Sequence, residues 1–220
     1  RSFESQTVGA FRILKRASSA GLSYDWYGGT AYLIMADASI TTGVWHHVAV
    51  SRTSGTVSAY YDGVRVVIQA DTTSGVTPTA PYTAGGRNAG ANYLTGYISN
   101  LRLIKGTGLY SGATIQVPTS PLTAVANTQL LICQSNRFVD NSANAYAITP
   151  SGTPLVQSFS PFPPANSYLS TLNGGGAYFD GSGDYLTINP STVMTIGTSD
   201  ATVEMWMYPT AQDGYRRIVT

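Results

Sequence analysis

Glu204 is the carboxylate best placed for acid–base work, in the run Ala201–Tyr208, where a strand sets it on one face with Trp206 and Tyr208. Cleaving a glycosidic bond takes two carboxyl groups, an acid and a nucleophile or base, about 5–10 Å apart. A strand supplies such a pair on one face, but this strand offers Glu204 alone. Asp62, Asp180 and Asp213 each precede a glycine, which is turn chemistry. His46 and His47 are adjacent, so a strand points them to opposite faces and they cannot share a metal or a triad. No nucleophile-elbow motif accompanies the many serines. Gly85-Gly86 and Gly174–Gly176 lack phosphate-loop spacing and a following helix. The single Cys133 forbids an intrachain disulfide and, in Leu130-Leu131-Ile132-Cys133, reads as a small buried hydrophobe. We expect no catalytic residue and no enzyme.

Composition bounds the partners. Charged residues make up 10% of the 220, against roughly a quarter in an average soluble domain, and the formal net charge is +1. Solubility therefore rests on Ser, Thr, Asn, Gln and Gly. The densest basic groups, Arg12 with Lys15 and Arg16, and Arg216 with Arg217, are too small for a nucleic-acid footprint, so no nucleic acid is expected. No stretch approaches the roughly 20 apolar residues that span a bilayer, so no membrane insertion is expected. Residue 1 is Arg and no signal peptide opens the chain, which suggests a processed, truncated or longer parent polypeptide.

The elements that must position these residues are strands. Helical periodicity is nearly absent, and short alternating runs are separated by turn signals. In Trp45–Arg52, Trp45, His47, Ala49 and Ser51 point one way and His46, Val48 and Val50 the other. Asp62-Gly63 between Val57–Tyr61 and Val64–Gln69 predicts a hairpin with a type I′ turn. Asp71 to Ala91 reads as a loop. Gly96–Lys105 reads as an interior strand with Tyr97, Ser99, Leu101 and Leu103 on one face and Ile98, Asn100, Arg102 and Ile104 on the other. Residues 149–176 read as a linker, with Pro150, Pro154, Pro161, Pro163, Pro164 and a closing glycine run. Beyond it, Ala177–Phe179 and Tyr185–Ile188 read as one hairpin, followed by the strand Ala201–Tyr208.

These residues carry a family likeness. Trp45-His46-His47-Val48-Ala49-Val50-Ser51-Arg52 with Tyr60-Tyr61-Asp62-Gly63 resembles the signature of laminin-G-like domains. Ala177-Tyr178-Phe179-Asp180-Gly181 with Val203-Glu204-Met205-Trp206 is similar to the opening of the same kind of domain. Gly96–Arg102, Pro121–Val125, Cys133–Asp140 and Gln157–Phe162 resemble a pattern of bacteriophage structural proteins, marine phages especially. The late part of the domain thus comes first and its opening part last. A unit of a tandem array, a permuted domain closing on itself, and a fragment completed by another chain all remain open.

The resemblance implies an all-β fold, an antiparallel β-sandwich of the concanavalin-A-like jelly-roll kind. We expect a sandwich lacking its opening strands over 1–148, a Pro/Ser/Gly-rich linker over 149–176, and the opening strands of a next or permuted sandwich over 177–220. The implied role is a non-catalytic structural or adhesive module of a phage virion, extracellular, contacting other copies or repeats of itself, other virion proteins or host-surface glycans. The alternatives are a carbohydrate-binding module of a secreted bacterial protein and, third, a glycanase. The residues themselves call for no cofactor. The likeness brings in calcium alone, on loop oxygens such as Asp25, Asp71, Asn88, Asp140, Asn141 and Asp184, with no cluster dense enough to name ligands. The aromatic residues that we expect to meet a ligand or partner are Trp26, Tyr27 and Tyr93, whereas Trp45 and Trp206 read as core.

Overall fold

Strands with a two-residue apolar period need a second layer to cover them. In the computed structural model that layer is a second sheet. The structure describes residues 11–15, 21–26, 31–35, 39–72, 81–86, 92–162, 174–189, 196–211 and 214–219, with backbone alone at 25–26 and 31–35. The described strands are β1 (Phe11–Lys15), β2 (Leu22–Trp26), β3 (Ala31–Met35), β4 (His46–Thr53), β5 (Thr56–Tyr61), β6 (Val64–Ala70), β7 (Tyr82–Ala84) and β8 (Thr95–Lys105). They continue with β9 (Thr128–Ile132), β10 (Ile148–Ser151), β11 (Leu155–Gln157), β12 (Gly176–Asp180), β13 (Tyr185–Ile188), β14 (Ala201–Pro209) and β15 (Arg216–Val219). One sheet runs β10-β13-β7-β15-β1-β2-β3 and the other β11-β12-β8-β14-β4-β5-β6, with β9 also on β8. The described pairings are antiparallel, so the expected all-β antiparallel sandwich is what the chain forms.

The core lies between the sheets. Val48, Val50, Ile98, Leu101, Leu103, Phe179, Val203, Met205 and Met207 enter it from one sheet, and Phe11, Ile13, Tyr24, Tyr82, Leu186 and Ile218 from the other. The C-terminal strands stand in the middle. β14 pairs with both β8 and β4, and β15 with both β7 and β1. Residues 177–219 thus complete the two sheets that residues 11–157 begin.

Several local expectations change. β12 and β13 form no hairpin: β12 pairs with β8 and β11 in one sheet, and β13 with β7 and β10 in the other. Asp184 Oδ2 accepts from Asp180 N, and Gly181 and Gly183 take positive φ, so the chain turns from one sheet to the other while Phe179 and Leu186 both stay inside. β7 lies inside the stretch read as a loop, because β13 and β15, distant in sequence, pair with it. Two strands also occupy the start of the proline-rich stretch. β10, containing Pro150, and β11 are both edge strands, where a missing N–H is tolerated.

The phase of β8 changes too. Glu204 pairs with Arg102 but Trp206 with Ser99, so Asn100 and Leu101 together face Met205. Asn100 has φ of 54° inside the strand, and this bulge flips the alternation. Leu101 and Leu103 join Ile98 in the core, and Arg102 moves to the face that carries Tyr97, Ser99 and Glu204. The Asp62-Gly63 hairpin forms as expected, with positive φ at both central residues.

Candidate functional site

The outer face of the eight-stranded sheet carries both the polar centre and an aromatic row. β14 presents Thr202, Glu204, Trp206 and Tyr208 on this face. Glu204 is fully buried. Arg102 on β8 donates from Nε to Glu204 Oε1 at 2.9 Å, and a second, very short contact comes from its Nη2. Tyr110 donates its hydroxyl to Oε2 at 2.8 Å, and His47 Nε2 from β4 lies 3.4 Å from the same oxygen. Burial alone raises the carboxyl's pKa, but His47 and the Arg102 guanidinium outweigh it and hold the group below the usual carboxylate range.

A strap of chain seals this centre. Leu109 N donates to Thr202 Oγ1, Tyr110 N to Ser51 Oγ, and Leu122 N to Asn100 Oδ1. Arg102 Nη1 donates to the Thr123 carbonyl, and Tyr60 to that of Gly112. None of the partners of Glu204 is a carboxylate. Asp200, four residues earlier, turns away and accepts from Ser54 N at 2.8 Å. The arrangement is a buried ion pair with a phenol and an imidazole beside it.

One end of the same face is open. Tyr178 on β12 stands opposite Tyr97 on β8, and Tyr97 opposite Tyr208 on β14. Trp45, just before β4, extends the row, its ring 5.4 Å from that of Tyr208. Tyr178 and Tyr97 are 4.9 Å apart and Tyr97 and Tyr208 5.8 Å. Phe159, 40% exposed, leans on Tyr97 and Tyr208 at 4.9 Å and on Trp45 at 5.2 Å. All four row residues are half-buried. Mutual proximity of the phenols, added to partial burial, raises the pKa of Tyr97. Trp45 and Trp206 therefore do not lie between the sheets as expected: their strand positions place them on the outer face, where Trp206 packs edge-on to His47 and Phe162.

The residues expected to meet a ligand are elsewhere or outside the description. The backbone of Trp26 ends β2, its side chain is not described, and Tyr27 lies outside the described residues. Tyr93 is half-buried and stacks on Tyr185 at 6.2 Å. Of the calcium-type oxygens, Asn88 and the side chain of Asp25 lie outside the description. Asp71 is buried, and Asn141 is exposed beside Asp140. Asp140 accepts from Leu131 N, Ser142 N and Tyr146 N, and Asp184 from Thr153 N and Asp180 N. Both aspartates organise backbone. Among the described residues no three His, Cys, Asp or Glu side chains group closely enough to hold a metal ion.

Sequence reading missed the aromatic row because its members come from four separate strands. The signal was present in the alternation of Tyr208 with Met207 and of Tyr178 with Phe179, but only the pairing register joins them. His46 was also undervalued. Its Nδ1 lies 2.8 Å from Asp62 Oδ2, and its Nε2 lies 3.1 Å from the Thr41 carbonyl.

No curated protein and no solved structure matches the chain. A laminin G family model, described as the concanavalin A-like lectin/glucanases superfamily, matches residues 3–107. This span includes the Trp45–Arg52 strand, the Asp62-Gly63 hairpin and most of β8. Antiparallel strands throughout, two facing sheets and this match agree: residues 3–107 belong to the concanavalin A-like lectin/glucanases superfamily, and the rest of the chain completes the same β-sandwich.

Proposed function

We propose that the chain is a non-catalytic adhesion or binding module, a structural component of a phage virion such as a decoration, fibre or tail-associated protein. Membership of a superfamily that includes lectins supports a carbohydrate-binding or adhesion-type role. The observation that carries the non-catalytic reading is Glu204, fully buried, paired with Arg102 and shut away by Tyr110. Glycoside cleavage needs two carboxyl groups open to the sugar. Adhesion by such a module rests on repetition, because linked weak sites gain avidity by factors of about 10²–10⁴. Contact between copies has a place to form: β6 is an edge strand of its sheet, with Val64 at 55%, Val66 at 39% and Ile68 at 59% exposure. The phage setting rests on the resemblance of residues 96–162 to phage structural proteins. A carbohydrate-binding module of a secreted bacterial protein is the second reading, favoured by the half-exposed aromatic row.

The test is adhesion as a function of valency. The chain is displayed on beads at one to many copies, and retention on bacterial cells is measured with reducing-end release from their glycans. Retention should rise steeply with copy number, with no sugar released by the chain or by Glu204→Gln. Sugar release that Glu204→Gln abolishes overturns the non-catalytic reading, and no retention at any valency overturns the adhesion reading.

A further inference from the structure

The row Tyr178–Tyr97–Tyr208–Trp45 joins two properties that narrow its occupant. Each ring gives part of a face or edge to solvent, and Phe159 forms a wall beside the row. The hydroxyls of Tyr97, Tyr178 and Tyr208 have no hydrogen-bond partner among the described residues. A dry, apolar protein surface laid over this row would strand three hydroxyls, each at a desolvation cost. An occupant must therefore bring apolar faces for the rings and hydroxyls or oxygens for the phenols, repeated along a line.

Charge narrows it further. The row itself holds no ionisable group except the phenols. Asp180, two residues beyond Tyr178, is exposed and its Oδ1 already accepts from Ser182 N at 2.6 Å. Glu204, four residues back along β14, is sealed. An anionic or cationic polymer thus meets no counter-charge. The ring-to-ring steps, 4.9, 5.8 and 5.4 Å, are of the order of one sugar residue. Trp45 Nε1 is buried and has no hydrogen-bond partner, so its indole serves as a ring face at the end of the row rather than as a donor.

We propose that this row is a binding site for a single extended strand of neutral polysaccharide, running across β12, β8 and β14 to Trp45. Sugar C–H faces stack on the rings, sugar hydroxyls bond the three phenols, and Phe159 flanks the chain. The inference rests on the adhesion reading and names the ligand class of its site.

Affinity electrophoresis and calorimetry of the whole chain test it, with mixed-linkage β-glucan, xylan, galactomannan and agarose as neutral probes and alginate as the acidic control. At least one neutral polymer should bind, its oligosaccharides more tightly with length up to about four units, and alginate should not. The triple variant Tyr97→Phe, Tyr178→Phe, Tyr208→Phe keeps the rings and removes the hydroxyls. It should weaken binding by roughly tenfold or more while leaving the melting temperature near that of the parent. Phe159→Ala should weaken binding as well. No neutral polymer bound, alginate bound equally, or binding unchanged by the triple variant overturns the proposal. Cell adhesion that persists or strengthens in the triple variant assigns the row to an apolar protein partner instead. In that outcome the adhesion reading stands and the glycan site falls.

Discussion

Arg102 and Glu204 are a buried ion pair, and such pairs are costly to break one partner at a time. Arg102→Met leaves a carboxylate that is fully buried with only Tyr110 and His47 beside it, and should cost about 3–5 kcal/mol in urea unfolding. Combining it with Glu204→Gln removes the stranded charge and should recover most of that loss. A double variant as unstable as the single one would mean that Arg102 acts through packing alone. His46 gives a pH signature. Burial lowers its pKa, but the hydrogen bond and charge of Asp62 outweigh this, and the folded value lies above the usual 6.5 or so. The charged imidazole is thus favoured by folding. Its contribution is complete below the unfolded value and is lost as pH rises through the raised folded value. Melting temperature should fall across that alkaline window. Asp62→Asn keeps both the turn and the acceptor for His47 N, and should flatten the fall.

Among the elements, β8 is the most informative. Its bulge depends on Asn100, whose backbone is left-handed and whose side chain accepts from Leu122 N and donates to Ser99 Oγ. Asn100→Ala forces a Cβ-bearing residue without these bonds into the αL region, and should cost roughly 2 kcal/mol or more. Asn100→Gly loses the bonds but not the backbone freedom and should cost less; denaturant unfolding ranks the two. Equal costs would place the whole effect in the side-chain bonds. The bulge could not be read from composition, because Gly96–Lys105 alternates plausibly in either phase until its partners are known. The Asp62-Gly63 turn was legible for the opposite reason: its chemistry is local, two residues that accept positive φ between two β-rich runs.

At the scale of the whole molecule, the last strands hold the two sheets together. Without β14 and β15, β4 and β8 lose their shared neighbour, as do β1 and β7. A chain ending at residue 175 should show no cooperative melting by near-ultraviolet circular dichroism, and should associate through its open edges. Adding residues 174–220 as a separate polypeptide should restore the native signal. Cooperative melting of the short chain would mean that residues 1–175 form a sandwich of their own.

The sequence by itself determined the all-β class, most of the strands, the Asp-Gly hairpin and the family likeness, because period-two alternation and turn residues are properties of short segments. It also placed Glu204 on one face with Trp206 and Tyr208. Tertiary structure alone decided that β12 and β13 belong to different sheets, that Arg102 reaches Glu204 through a bulge, and that Tyr178, Tyr97, Tyr208 and Trp45 form one row. The physical reason is common to all three. Strand order and register are set by burying apolar faces of segments far apart in sequence, and no local pattern records which distant strand will be the neighbour.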